Sequence, residues 1–254
     1  MDTALRSQLA PDGLADRQAP PIEPGQPIEV RWLGRIDYRR AWALQRELVE
    51  ARSAGAIPDQ LLVLEHPAVL TLGRQADESH VRASSAELEA RGIEVIRVER
   101  GGEVTYHGPG QLVAYPIVAL ARRELLVRPF VRALEAALAE TCRSFGVPAD
   151  RREGHPGCWV LPDRAPPRKI GALGLRIERG ISFHGVALNV DPDLAHFELL
   201  DACGMPDVIS TSIAAELGHP DEAPSTRAVA QAGSTFVEAL ARQLQTELVG
   251  DRPA

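Results

Sequence analysis

The chain has 254 residues, of which 44% are hydrophobic and 25% are charged, so it suits one large soluble domain with a sizeable core. Its formal net charge of -7 excludes a basic footprint for nucleic acid over the chain as a whole. No apolar run reaches membrane-spanning length. We therefore expect no nucleic-acid partner and no membrane association.

The first 26 residues are rich in Pro, Asp, Gln and Ala and lack the basic start and apolar stretch of a secretory signal. They are predicted to form a disordered leader before a single folded domain at residues 27–250. The three cysteines cannot all pair within one chain, and free thiols are typical of a reducing compartment. We expect a cytoplasmic protein.

Local patterns predict alternating strands and helices in the first half of the chain. Asp37 is placed to cap a helix that runs to about residue 54. Ser84 starts a short helix, with Glu87 as its capping-box partner. The predicted strands cover residues 28–33, 61–65, 69–72, 93–98 and 111–118.

The second half is predicted to contain a long amphipathic helix over residues 129–145, with Cys142 on its apolar stripe as a core residue. Residues 151–168 are expected to be mostly loop because they hold three Gly or Pro clusters, with a short strand near residues 158–161. Further predicted elements are strands at 169–177 and 181–190 joined by a turn at Arg179-Gly180, and helices at 194–199, 212–217 and 226–248.

This order of elements predicts an α+β fold, with mixed, largely antiparallel sheets flanked by helices. No GxGxxG motif follows the first strand, and no GxxxxGK[ST] motif occurs in the chain. A dinucleotide fold and a phosphate-binding P-loop are therefore not expected.

Lys169 is the only lysine among 28 basic residues. A position that keeps lysine while the other basic positions become arginine needs a property that arginine lacks. Arginine remains charged, whereas a lysine amine can lose its proton and act as a base. Lys169 is thus a candidate functional residue. The alternative is that this lysine has been retained by chance and has no functional role.

Residues 100–111, RGGEVTYHGPGQ, form the densest candidate for a ligand-binding loop. Their four glycines allow close backbone approach and positive φ, and Thr105, Tyr106 and His107 add polar side chains. The alternative is a plain glycine-rich turn. Small residues also interrupt the predicted hairpin at 168–174, RKIGALG, and 182–189, SFHGVALN, which is expected to wall an apolar groove for an alkyl chain.

Cys203 lies in a predicted loop and not on an apolar stripe. A thiol beside a basic group becomes nucleophilic because the cation stabilises the thiolate. From spacing alone, a catalytic role for Cys203 and the absence of any such role are equally open. Cys158 is interpreted as a packing residue. A zinc site formed by His155, Cys158, His184 and Cys203 lacks CxxC or paired-histidine spacing, so no metal is expected.

Four blocks in this order resemble the octanoyltransferases of lipoate biosynthesis, also called lipoyl(octanoyl) transferases or the lipoate-protein ligase B family. The blocks are LEHP at 64–67, RGGEVTYHGPGQ at 100–111, the lysine strand at 169–174 with FHGVALN at 183–189, and Cys203-Gly204. The resemblance covers about residues 28–248 and implies a biotin/lipoate protein ligase-like fold with one catalytic domain over residues 27–250.

The resemblance implies octanoyl transfer from octanoyl-acyl carrier protein to a lysine, the first step of de novo protein lipoylation. The implied acceptors are lipoyl domains of 2-oxoacid dehydrogenase E2 subunits and the glycine cleavage H protein. Thioester exchange is nearly neutral in energy and amide formation is downhill, so no ATP or other cofactor is expected. We also expect a monomer.

By the same resemblance, Cys203 is the nucleophile that carries the acyl thioester, and Lys169 stabilises its thiolate and serves as general acid and base. The implied substrate-binding residues are Arg100, Gly101, Gly102, Glu103, Val104, Thr105, Tyr106, His107, Ala172, Leu173, Gly174, Gly185, Val186 and Ala187. Two alternatives remain open: an ATP-dependent lipoate or biotin protein ligase, which needs no nucleophilic cysteine, and a non-catalytic acyl-carrier or lipoyl-domain binding protein, which forms no covalent adduct.

Overall fold

The computed structural model describes residues 25–163, 165–201, 208–218 and 226–251. Of the predicted leader, only Gly25 and Gln26 fall within these ranges, and Cys203 lies outside them. The described α-helices are α1 (Tyr38–Ser53), α2 (Ser85–Ala90), α3 (Val127–Ser144), α4 (Ile213–Glu216) and α5 (Thr226–Leu244). The described strands are β1 (Ile28–Arg35), β2 (Gln60–Glu65), β3 (Val69–Leu72), β4 (Glu94–Arg97), β5 (Val104–His107), β6 (Gln111–Ile117), β7 (Ala149–Arg152), β8 (His155–Val160), β9 (Arg168–Glu178), β10 (Ile181–Asn189), β11 (Ile209–Ser210) and β12 (Leu248–Gly250).

The described strands form a large and a small sheet. The large sheet has the order β12-β1-β2-β6-β10-β9-β8-β7, with β11 also paired to β9. Neighbours from β2 through β7 are antiparallel, whereas β12–β1, β1–β2 and β11–β9 are parallel. The small sheet has the order β4-β3-β5. The predicted α+β class with mixed, largely antiparallel sheets is confirmed.

Helices cover both faces of the large sheet. Phe130 and Leu134 of α3 and Phe236 of α5 are fully buried in the main core, each contributing about 1.5–3 kcal/mol by its burial. On the opposite face, Ala41 and Leu48 of α1 pack into a second core. None of the described helices combines the length and the apolar composition needed to cross a membrane.

Two predicted helix starts are present, although one capping box is incomplete. The Asp37 carboxylate accepts a hydrogen bond from the Arg40 amide at the start of α1. The Ser84 hydroxyl accepts one from the Glu87 amide at the start of α2. The predicted return bond from the Glu87 side chain does not form, since that carboxylate accepts from Arg91 at 3.0 Å instead.

The predicted hairpin turn between β9 and β10 is also present. Arg179 and Gly180 both have positive φ, at 51° and 77°. Two positive values in a two-residue turn match the right-handed twist of the flanking strands. This turn sets the register that brings the small residues of the two strands side by side.

Two element predictions were wrong. Residues 151–168 are not mostly loop, because β7 and β8 form an antiparallel hairpin at the sheet edge, with Gly154 at positive φ in its turn. The final helix ends at Leu244, before the predicted residue 248. Gln245 takes a positive φ of 50°, and Leu248 then pairs with Ile28 of β1.

Candidate active site

Lys169 lies on β9 where the short β11 joins the large sheet. Ser210 pairs with it, and the Thr211 amide donates to its carbonyl at 2.9 Å. The residue is 8% exposed, and its Nζ lies 5.3 Å from the centroid of the Trp159 ring. A Cβ on Gly157 would lie 3.2 Å from Lys169 Cε, so that glycine leaves space for the lysine stem.

A polar lock fixes β11 beside this lysine. Arg168 donates two hydrogen bonds to the Glu216 carboxylate, each at 2.7 Å, which lower the pKa of Glu216. The Thr211 hydroxyl donates to the same carboxylate at 2.6 Å, and the Asn189 amide donates to the Thr211 carbonyl at 2.9 Å. The chain that re-enters the described residues at Val208 is therefore held at the Lys169 edge of β9.

A narrow cavity, here called the slot, lies beside Lys169 between β9, β10 and the segment 100–107. The Gly101 amide donates to the Leu175 carbonyl at 2.9 Å and so ties that segment to β9. The slot has about 50 Å³ of open space. It is lined by Tyr38, Arg100, Gly102, Glu103, Val104, Thr105, His107, Tyr115, Lys169, Ala172, Leu173, Gly174, His184, Gly185, Val186 and Ala187.

The alanines and the glycines on these two strands have different roles. Ala172 pairs with Ala187, and both line the slot, so these short side chains shape its wall. Gly174 pairs with Gly185, but a Cβ on Gly174 would lie 2.9 Å from the Gly101 carbonyl oxygen, and one on Gly185 would collide with the Ala114 carbonyl. The glycines are thus required by close backbone packing.

Arg100 holds the glycine-rich segment against the small sheet. Its Nη2 donates to the Thr71 carbonyl at 2.6 Å and to the Thr71 hydroxyl at 2.9 Å, and its Nη1 donates to the Gly101 carbonyl at 3.0 Å. The side chain is buried. Arg100 therefore fixes the backbone of the slot wall and places a positive charge beside the slot.

A buried ring cluster closes the inner side of the slot. His66 Nδ1 donates to the Ile36 carbonyl at 2.8 Å, which leaves Nε2 to accept from the Tyr115 hydroxyl at 2.8 Å. The Tyr38 ring lies 4.9 Å from the His66 ring and 5.9 Å from the His107 ring. Burial raises the pKa of Tyr38 to about 12, so its hydroxyl stays protonated.

His107 begins a chain of hydrogen bonds that leads back to Lys169. Its Nδ1 donates to the Gln111 side-chain carbonyl at 2.7 Å, and the Gln111 amide donates to Asn189 Oδ1 at 2.9 Å. Asn189 donates onward to the Thr211 carbonyl. The His107 side of the slot and the Lys169 side are therefore positioned by one connected network.

His184 adds a strained residue to the slot wall. Its φ is 52°, a conformation uncommon for a residue with a side chain, and its amide donates to the buried Gln45 side chain at 2.7 Å. Its ring lies 3.8 Å from Glu99. Burial opposes ionisation of Glu99, yet its contacts with His184 and Trp42 hold its pKa at about 2. Burial lowers the pKa of His184.

The buried histidines are expected to make stability fall in mild acid. Burial lowers the pKa of His66 from 6.5 to about 4. The unfolded chain therefore binds more protons than the folded one between pH 6.5 and 4, and stability is lost as pH falls through that window. The shift corresponds to on the order of 3 kcal/mol. Melting temperatures measured from pH 7.5 to 4 test this.

A His66→Gln variant should show a flatter dependence of melting temperature on pH over the same window. The partly exposed His155 supplies the matched control, and His155→Gln should keep the wild-type slope. Equal slopes in wild type and His66→Gln would contradict the assignment to His66.

A wider outer cleft adjoins the slot. It has about 610 Å³ of open space, and it shares Lys169, Leu173, Gly174, Gly102 and Glu103 with the slot. Its remaining lining comes from Gln75 after β3, from Gly101, from the start of α3, from the far part of β9 and from the β7–β8 hairpin. Those residues are Gln75, Gly101, Val127, Val131, Gly154, His155, Pro156, Leu175 and Ile177.

The structure gathers most of the sequence-predicted binding residues around the slot, with two exceptions. Gly101 lines the outer cleft. The buried Tyr106 ring faces away, with its centroid 4.9 Å from that of His196 and 5.4 Å from that of Phe197. The sequence did not identify Tyr38, Tyr115 or His184 as slot residues. Of these three, only His184 lies in a segment, residues 182–189, that its small residues marked as a candidate wall of the site.

Among the described residues, no group of His, Cys, Asp and Glu side chains is arranged to hold a metal ion. Cys142 and Cys158 are both buried free thiols. Cys142 lies in the main core, as does Cys158, which fits the packing role predicted for each. The predicted nucleophile, Cys203, lies outside the described residues.

Comparisons with known proteins give a consistent result. The family model for the lipoyl protein ligase A/B catalytic domain matches residues 37–235. The chain is 50% identical over 195 residues to an octanoyltransferase of Mycolicibacterium gilvum, covering 76% of this chain and 78% of the relative. It is 46% identical over 222 residues to an octanoyltransferase of Chloroflexus aurantiacus, covering 84% of this chain and 98% of the relative.

Solved structures show the same fold at low sequence identity. The bipartite lipoate protein ligase of Thermoplasma acidophilum has a TM-score of 0.63 at 14% identity, covering 89% of this chain and 86% of that one. A lipoate-protein ligase A bound with ATP has a TM-score of 0.62 at 14% identity, covering 89% of both chains. The fold predicted from the sequence blocks is thereby confirmed.

Proposed function

The chain belongs to the lipoyl protein ligase A/B catalytic domain family, and on this premise we propose that it transfers an octanoyl group from octanoyl-acyl carrier protein to a lipoyl-domain lysine through a Cys203 thioester. Its relatives at 44–50% identity are octanoyltransferases, so octanoyl transfer in lipoylation is its activity. The observation that carries the proposal is the slot, a cavity lined both by the buried Lys169 and by the short side chains of Ala172 and Ala187.

The slot suits an alkyl chain that enters it from the Lys169 side. Ala172, Ala187 and Val186 supply apolar wall, and the rigid ring cluster closes the inner side. Its open space of about 50 Å³ corresponds to about four water-sized volumes, less than a whole eight-carbon chain. The remaining methylenes therefore lie over Leu173 and Gly174, where the slot meets the outer cleft.

In the first step, the Cys203 thiolate attacks the thioester carbonyl of the donor. A new carbon–sulfur bond forms, the bond to the carrier thiol breaks, and the leaving thiolate takes a proton from the Lys169 ammonium. Before attack, the same ammonium stabilises the Cys203 thiolate. The described support for this pairing is β11, which holds the chain downstream of Cys203 against Lys169.

In the second step, the acceptor lysine amine attacks the Cys203 thioester. The amide bond forms, Cys203 leaves as thiolate, and the proton released by the amine passes to the neutral Lys169 amine. Lys169 is then an ammonium again and the cycle is complete. The substrates are an acyl carrier and a lipoyl domain, and the proposed acceptors are E2 subunits and the H protein. We propose that the enzyme acts as a cytoplasmic monomer.

Intact-protein mass spectrometry after mixing with octanoyl-acyl carrier protein, without ATP, tests this function. We expect an octanoyl adduct that neutral hydroxylamine removes and that a lipoyl domain discharges to an amide. Transfer that forms no adduct and requires ATP would instead indicate a ligase, and the absence of both adduct and transfer would indicate a binding protein.

A further inference from the structure

The outer cleft is a well-defined cavity that has no role in the two chemical steps proposed above. Its open space of about 610 Å³ falls within the range of small-molecule sites. It runs along β9 on the side of α3, and five of its lining residues also line the slot. A molecule that extends out of the slot past Lys169 therefore has a direct path into this cleft.

A thioester donor has two parts that must be accommodated on opposite sides of its carbonyl carbon. If the acyl chain occupies the slot and the carbonyl lies at Lys169, the thiol part must leave through a space that meets the slot at Lys169. The outer cleft meets this condition, because Lys169, Leu173 and Gly174 line it as well as the slot.

The lining of the cleft suits a flexible arm of alternating alkyl and amide groups. Val127, Val131, Leu175 and Ile177 provide apolar contact. Glycines at 101, 102 and 154 leave room along this wall because they carry no side chain. Among the described lining residues, Glu103 is the one carboxylate, and it interacts with His80 at 3.1 Å. The apolar part of the wall therefore suits a neutral chain.

Two exposed arginines of α3 are sequence neighbours of cleft residues. Arg128 and Arg132 follow the lining residues Val127 and Val131 by one position, about 100° around α3, and both are exposed. Neither is within salt-bridge distance of a carboxylate of the described residues.

We propose that the outer cleft binds the phosphopantetheine arm through which an acyl carrier presents its thioester, with Arg128 and Arg132 at the phosphate end. The inference rests on the proposed function, because it places the thioester carbonyl at Lys169. The cleft then sets donor affinity through the thiol part of the donor, separately from the slot, which holds the acyl chain.

Steady-state kinetics with two octanoyl donors test this assignment. Octanoyl-pantetheine extends along the cleft, whereas octanoyl-N-acetylcysteamine carries a thiol part too short to do so. Val131→Trp, which narrows the cleft, is expected to raise the KM for octanoyl-pantetheine at least tenfold and to change kcat/KM for the short donor less than twofold. Val127→Trp, at a 48% exposed position, provides a second variant that leaves the core intact.

Val95→Trp is the matched control, because Val95 is 40% exposed on β4 and does not line the cleft; it should behave as wild type with both donors. Equal effects of Val131→Trp and Val127→Trp on the two donors, or no effect on either, would overturn the assignment. So would a raised KM for the lipoyl domain alone, which would assign the cleft to the acceptor. Absence of transfer from every donor in wild type would reject the proposed function instead.

Discussion

Replacement of Cys203 by serine is expected to reduce octanoyl transfer by on the order of 10³-fold or more. A serine hydroxyl is a weak nucleophile at its ordinary pKa, and in the proposed mechanism Lys169 stabilises a thiolate. Mass spectrometry of the lipoyl domain measures the transfer rate. The same method applied to the enzyme should show no hydroxylamine-labile adduct.

Cys142→Ala provides the control for loss of a thiol. Cys142 is fully buried in the main core on α3, so its truncation should lower the melting temperature by removing packing contacts. The adduct and the transfer rate per folded molecule should remain at wild-type levels. Full activity in Cys203→Ser would contradict the thioester mechanism. Loss of the adduct in Cys142→Ala alone would show that Cys142, and not Cys203, carries the octanoyl group.

Replacement of Lys169 by arginine is expected to reduce transfer by about 10²–10⁴-fold, the usual contribution of a general base. Arginine keeps the positive charge but does not supply a neutral amine. Rapid-quench measurements separate adduct formation from discharge to the lipoyl domain, and discharge should be the more strongly impaired step.

Arg168→Lys is the reciprocal exchange at the neighbouring position. It retains a positive charge next to Glu216 but loses one of the two hydrogen bonds that Arg168 donates. We expect transfer within a few-fold of wild type. Wild-type discharge rates in Lys169→Arg would remove the general-base role, whereas an equally large loss in Arg168→Lys would indicate that the region is merely sensitive to substitution.

Sequence patterns were most informative where the determining interactions are local. The Asp37 cap, the amphipathic α3 and the β9–β10 turn each depend on residues a few positions apart, and each is present. Of the two failures, the β7–β8 hairpin is local, with Gly154 in its turn, whereas the other involves a distant partner. Leu248 leaves the predicted helix because it pairs with Ile28, about 220 residues earlier, and no local signal reports that pairing.

The same distinction applies to the candidate site. The sequence selected the segment 100–107 and the two strands of small residues, since glycine density and hairpin spacing are visible without coordinates. It did not identify Tyr38 or Tyr115, which reach the slot from α1 and β6. The sequence also suggested that glycines such as Gly185 make room for a ligand. In the structure, Gly185 is needed because a Cβ at this position would collide with the Ala114 carbonyl of the neighbouring strand.

The sequence by itself therefore determined the family and the α+β class, and it selected Lys169, a lone lysine among 28 basic residues, as the candidate functional residue. Only the tertiary structure decided what surrounds that lysine. Its burial beside Trp159, the polar lock at Thr211 and Glu216, and the meeting of slot and cleft arise from segments far apart in the chain. Such contacts depend on how sheets and helices pack, and packing is decided by the whole chain rather than by any single motif.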